Sequence, residues 1–210
     1  MSQEKFNFYA LKLVILLSFI FLLEINFPSY TQIFILNSSS LIQTPWTILT
    51  YMFLHANATH LMYNALALAL FGSILEKIIG YKKFLIIFLI AGAFSGIVGA
   101  FFYESIIGAS GAIYGILGFL VVIRPKMVVP SLGVPLPMIA AIILWSIFDL
   151  FGTFSPDGIA HIGHLSGLAI GIVLGVIMRS RYKIKEKKKE TKVEISEKDF
   201  REWEDKYLKN

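Results

Sequence analysis

An all-α, polytopic membrane fold is what this sequence predicts, and three observations carry the prediction. Hydrophobic residues make up 56% of the 210 and charged residues 16%, with a mean hydropathy of +0.71. A water-soluble domain does not need that balance to fill its core. Residues 84–103 form a run of 20 uncharged residues, the length at which a helix rising about 1.5 Å per residue crosses a hydrocarbon core. The 19 Lys and Arg residues fall into four separated groups, as expected of short loops on one side of a bilayer.

The first span is centred near Leu17. Lys5 and Lys12 precede it as in a signal peptide, but Leu23 is followed by Glu24, Ile25, Asn26, Phe27 and Pro28, with no small-x-small cleavage site, so it is retained as a span. Further spans are centred near Leu68, on the 84–103 run, and near Gly115, Ile142 and Leu168. Pro130, Pro135 and Pro137 blur the start of the fifth. Six spans in one domain over residues 1–178 are therefore predicted, with residues 179–210 as a basic tail. Most of the net charge of +5 sits just past the last span. That position reads as a stop-transfer and lipid-surface segment and argues against nucleic acid as a partner. Val193, Phe200, Trp203 and Tyr207 then recur at helical spacing, with Ser196 and Asp199 placed to cap, which predicts a short amphipathic helix at the interface.

The cationic groups are Lys5 and Lys12; Lys77, Lys82 and Lys83; Arg124 and Lys126; and everything from Arg179 on. With six spans all four face one side, which the positive-inside bias makes cytoplasmic, together with both termini. The stretches 24–57 and 152–158 and the turn near Glu104 carry no Lys or Arg and face outward. There is no cysteine, which removes disulfides and thiolate metal sites.

Polar side chains inside a membrane are costly and by default suggest function. Here they gather at the outer helix ends: His55, Asn57, Thr59, His60 and Asn64 open the second span, Ser110 and Tyr114 the fourth, and His161, His164 and Ser166 the sixth. Ser110 stands among small residues, Gly108, Ala109, Gly111 and Ala112, where it suits either a helix cap or a nucleophile. A hydroxyl needs a base, and a neutral imidazole is matched to that task near pH 7. Gly163, Gly167, Gly171 and Gly175 recur every four residues along the sixth span, and Gly111, Gly115 and Gly118 line the fourth. Such stripes let helices touch and bring a serine and a histidine within reach. His60 and Asn64, one turn apart, share a face and both can donate hydrogen bonds, either between helices or toward an oxyanion. A metal site built on His55, His60, His161 and His164 lacks support. No His-Glu-x-x-His run occurs, and Asp149 and Asp157 are not at a characteristic ligand spacing, so neither metal nor cofactor is expected.

Together these segments resemble the rhomboid protease family over about residues 45–175. Gly108-Ala109-Ser110-Gly111 is similar to its Gly-x-Ser-x segment, His60 to Asn64 to its His-x-x-x-Asn, and Ala160 to Gly167 to its Ala-His-x-x-His-x-x-Gly. Gly72, Glu76 and Gly80 match a structural Gly-x-x-x-Glu-x-x-x-Gly motif. The resemblance implies Ser110 as nucleophile and His164 as base, with an oxyanion held by His60, Asn64 and the backbone N–H groups of Ala109 and Ser110. His161 is then a supporting residue, and Tyr114 packs against the base. It also implies a Ser-His pair without an aspartate, and no acid stands beside His161 or His164 in the sequence. The implied substrates are single-span membrane proteins cut near the outer face, and the implied location is the cell membrane of a prokaryote. The Trp-Arg pair that members often carry in the first outer loop is missing; Trp46 adjoins Thr47. If His164 must be neutral, activity is expected to fall as pH drops through the range in which an imidazole is protonated, about 6.5 for a free side chain. Two other functions fit less well. A non-proteolytic relative that binds membrane clients has no need of Ser110 and His164. A small transporter tends to show internal repeats, and none is visible.

Overall fold

The computed structural model describes residues 7–131, 133–182 and 197–207, and it is mostly helical. In chain order the elements are α1 (Tyr9–Asn26), α2 (Pro28–Phe34), β1 (Leu36–Asn37), α3 (Thr47–Thr50), α4 (Ala58–Ala67), α5 (Ser73–Ile79), α6 (Tyr81–Gly99), β2 (Ser105–Ile106), α7 (Ser110–Ile123), β3 (Val128–Ser131), β4 (Val134–Pro137), α8 (Met138–Gly152), α9 (His161–Tyr182) and α10 (Glu197–Tyr207). One wide turn, Leu68–Gly72, joins α4 to α5, so that Ala58–Ile79 is a single rod of 22 residues. Among the described residues four helices, α1, this rod, α6 and α9, are long and apolar enough to cross a bilayer; α7 and α8 are shorter apolar helices. Each of the six apolar segments read from the sequence contains one of these helices, the 84–103 run being helical as far as Gly99. Their outer faces carry exposed Ile15, Phe19, Ile86, Phe148 and Ile177, a surface suited to lipid and not to water.

The centre is α7, which packs on α6, α8 and α9 and buries 11 of its 14 residues. Its contact with α9 is made through backbone. A methyl group added at Gly167 would strike the Gly111 carbonyl oxygen, one at Gly171 the Gly115 carbonyl oxygen, and one at Gly118 the Leu168 carbonyl oxygen. The sequence spacing anticipated this approach. From α6, the Ser95 hydroxyl donates to the Gly163 carbonyl (2.8 Å) and stands where a Gly111 side chain would be.

The Gly72, Glu76 and Gly80 set fastens α1 to the bundle. Glu76 is buried and accepts from the backbone N–H groups of Ala10 (2.9 Å) and Asn7 (3.2 Å), at the helix start where such donors lack intrahelical partners. A side chain at Gly72 would press on Ala10, and Gly80, at φ +83°, turns the chain from α5 into α6. Glu76→Ala is therefore expected to lower thermal stability in detergent by about 1–3 kcal/mol for each donor left unpaired. An unchanged unfolding temperature would contradict that role.

Two elements differ from the expectation. The proline-rich stretch before the fifth span is an antiparallel hairpin, with Val128 opposite Pro137 and Ser131 opposite Val134. Proline has no N–H and is tolerated in so short a two-stranded ladder, and α8 begins only at Met138. His55 and Asn57 precede the second span; the helix starts at Ala58, with the Asn57 side chain accepting from the His60 N–H (2.8 Å) as its cap. Of the tail, α10 lies on the predicted amphipathic stretch, whereas Val193 and Ser196 fall outside the described residues.

Candidate active site

Ser110 is the first residue of α7, and His164 stands one turn into α9. The glycine contact between these helices brings His164 Nε2 to 2.8 Å from Ser110 Oγ. The Tyr114 ring, one turn beyond the serine, stacks on the His164 ring at 4.5 Å and 10° and limits its rotation. Gly108 has φ +117°, a left-handed conformation open to glycine. A Cβ there would also lie 2.5 Å from His60 Cε1 and 2.7 Å from His60 Nε2. The turn before the nucleophile is thus shaped to receive the His60 imidazole. The Ala109 and Ser110 N–H groups lie at the positive end of α7. Asn64 is buried and in this state donates to the His60 carbonyl at 3.0 Å.

His55 lies in the loop before α4, edge-on to His60 at 5.2 Å between ring centres. Burial pushes its imidazole down to about 4, so it is neutral from about pH 5 to 8.

The expectation that no acid lies beside the histidines is overturned. Asp149 on α8, 4% exposed, places Oδ1 2.9 Å from His164 Nδ1 and 2.7 Å from His161 Nδ1. His161 Nε2 lies 3.0 Å from Asp157 Oδ2 in the loop between α8 and α9. The hydrogen bond with His161, aided by the Ile159 N–H, holds the Asp157 carboxyl below its usual range. It is therefore ionised above the ordinary carboxylate range, and the contact is lost only as pH falls through the lowered value. Sequence reading missed Asp149 because it counted separation along the chain. The antiparallel return of α8 into α9 places residues 12 and 15 positions apart side by side. The signal was present all the same: an aspartate inside the apolar stretch of α8 is the kind of intramembrane charge that marks a site.

Ser95 and Gly152 were likewise not singled out. The first spaces α6 from α7 and α9, and a Cβ at the second would collide with the His161 ring. Asp149, His161 and His164 also bring ligand-type atoms within 4.8 Å of one another, a grouping the ligand-spacing argument did not foresee.

Comparison with known proteins bears on the family of the chain. Residues 43–181 match the Rhomboid domain. YdcA of Bacillus subtilis, provisionally named a rhomboid protease, is 30% identical over 139 residues, 63% of this chain and 66% of YdcA. The rhomboid protease GlpG of Yersinia pestis (strain Pestoides F) is 31% identical over 144 residues, 66% of this chain and 49% of GlpG. GlpG of Yersinia pseudotuberculosis serotype I is 29% identical over 142 residues, with the same coverage. The chain thus spans about half the length of the GlpG relatives it matches. With apolar helices in series and a family domain over most of its length, this is an integral multi-pass membrane protein, and it belongs to the rhomboid family.

Proposed function

We propose that the chain is an intramembrane serine endopeptidase that cuts single-span membrane proteins near the outer face of a prokaryotic cell membrane. The observation that carries this reading is the 2.8 Å approach of His164 Nε2 to Ser110 Oγ at the start of a buried helix. Ser110 Oγ attacks the scissile carbonyl carbon while His164 Nε2 takes its proton. The oxyanion is met by His60, Asn64 and the Ala109 and Ser110 N–H groups. Collapse passes the proton to the leaving amine and leaves an acyl-enzyme, which water, deprotonated by His164, hydrolyses. Residues 1–178 form the catalytic domain, with six spans and both termini in the cytoplasm, and residues 179–210 a basic tail on the lipid surface.

The test is cleavage of a single-span reporter by detergent-purified protein, with the Ser110→Ala variant as control. Cleavage that persists in Ser110→Ala rejects the mechanism. A wild type inert toward varied reporters favours a rhomboid relative that binds membrane clients without cutting them. His60→Ala and Asn64→Ala should each lower kcat by about 10²-fold or more at nearly constant KM, the scale of one lost oxyanion donor. Equal losses in KM alone would assign these residues to substrate binding.

A further inference from the structure

One atom, Asp149 Oδ1, meets the Nδ1 atoms of both histidines on α9, at 2.7 Å for His161 and 2.9 Å for His164. A carboxylate oxygen only accepts, so each Nδ1 carries a proton. On His164 this leaves Nε2 with the free lone pair, and Nε2 is the nitrogen facing Ser110. On His161 the other nitrogen faces Asp157 at 3.0 Å, so both nitrogens donate and the ring is an imidazolium. Charge therefore alternates along the row: Asp157 negative, His161 positive, Asp149 negative, then a neutral His164 against Ser110.

We propose that Asp149 is a positioning residue that locks His164 in the tautomer protonated on Nδ1, and that His161 holds Asp149 in place by joining it to Asp157. The inference rests on the reading of Ser110 and His164 as the reacting pair. The physical need for each part is separate. Without Asp149, an imidazole next to a serine hydroxyl can carry its proton on either nitrogen, and only one form is a base toward Ser110. Tyr114 stacking restrains the plane of the ring but leaves that choice open. Once His164 accepts the Ser110 proton it becomes a cation 2.9 Å from a carboxylate, which stabilises the charge that develops in the transition state.

Asp149 itself is a buried charge on an apolar helix, costly unless paired, and the His161 imidazolium is its counter-ion. Gly152 makes room for that ring: a Cβ there would lie 2.5 Å from His161 Nε2. Around His164 stand also Tyr114 on its face and His161 at 6.0 Å between ring centres.

The experiment uses the full chain with ¹⁵N-labelled histidine in detergent micelles near neutral pH. With 4 histidines in the chain, single His→Gln variants assign the signals. In the wild type, His164 is expected to show a protonated Nδ1 and an unprotonated Nε2, and His161 protons on both nitrogens. Asp149→Asn should turn the His164 signals into a mixture of tautomers and lower kcat for the reporter about 10²- to 10⁴-fold, with KM within about twofold. Asp157→Asn, which leaves Asp149 in place, should neutralise His161 and lower kcat by less than about tenfold. A wild-type His164 protonated on Nε2 overturns the proposal without any variant having to fold. So does Asp149→Asn with full kcat and unchanged His164 signals, or stoichiometric zinc in the purified protein. A wild type that cleaves no reporter defeats the protease reading alone, and the histidine signals then still decide the tautomer.

Discussion

Ser110→Ala is expected to abolish cleavage of a single-span reporter, lowering kcat by about 10⁴-fold or more, and His164→Ala should do the same. The serine Oγ is the atom that forms the covalent bond, and the imidazole nitrogen 2.8 Å away is the group in contact with it that can take its proton. Residues that act as one unit are not additive, so the double variant should be no slower than either single one. This sets the pair apart from His60 and Asn64, whose losses should be partial. Ser110 is partly exposed, and removing its hydroxyl should leave the unfolding temperature within the range of ordinary surface changes, about 0.5 kcal/mol. Residual cleavage in the double variant equal to wild type would mean that the reporter is cut by a contaminant or by another centre. A double variant much slower than each single variant would mean that the two residues act in separate steps.

The second large effect is expected from a single methyl group. Gly167→Ala and Gly171→Ala place a Cβ on the backbone oxygens of Gly111 and Gly115. Those oxygens belong to a helix enclosed by its neighbours, so the two backbones must separate. Overpacking a well-filled interior costs about 1–3 kcal/mol and more where backbone must move. Separation of α7 from α9 also pulls His164 from Ser110, and a misplacement of about 1 Å is worth about 10²-fold in rate. Both stability in detergent and kcat should fall together. Gly175→Ala supplies the scale, because its nearest neighbours, Val122 Cβ at 3.0 Å and the Phe119 carbonyl oxygen at 3.2 Å, leave more room. The expected order of damage is Gly171 and Gly167 well above Gly175. Equal damage at all three would mean that helix propensity and not contact sets the outcome.

How much of this was legible in the chain depends on which interactions are local. Apolar runs and the positions of Lys and Arg reflect the bilayer, which acts on each segment separately, so the helices could be found one at a time. The approach of α7 to α9 was readable because its cause, glycine at every third or fourth residue, is written along each helix. Asp149 was not readable in the same way. Its partners lie across a turn between two antiparallel helices, and nothing in its immediate neighbours distinguishes a tolerated charge from a paired one. The hairpin at residues 128–137 was hidden for the opposite reason: its prolines argued correctly against helix but did not say what would replace it. Asn64 shows a third limit. Its position one turn from His60 could be read, but that its amide donates to the His60 carbonyl in this state needed coordinates.

The brevity of α7 has a further consequence. Fourteen residues climb about 21 Å, whereas the hydrocarbon core is about 30 Å thick. Enclosed by its neighbours, α7 need not match that thickness. On the proposed function a helix this short would set the depth of the cut: were its other end level with the cytoplasmic face, Ser110 would lie about 9 Å below the outer one, about six helical residues inside the substrate's own membrane boundary.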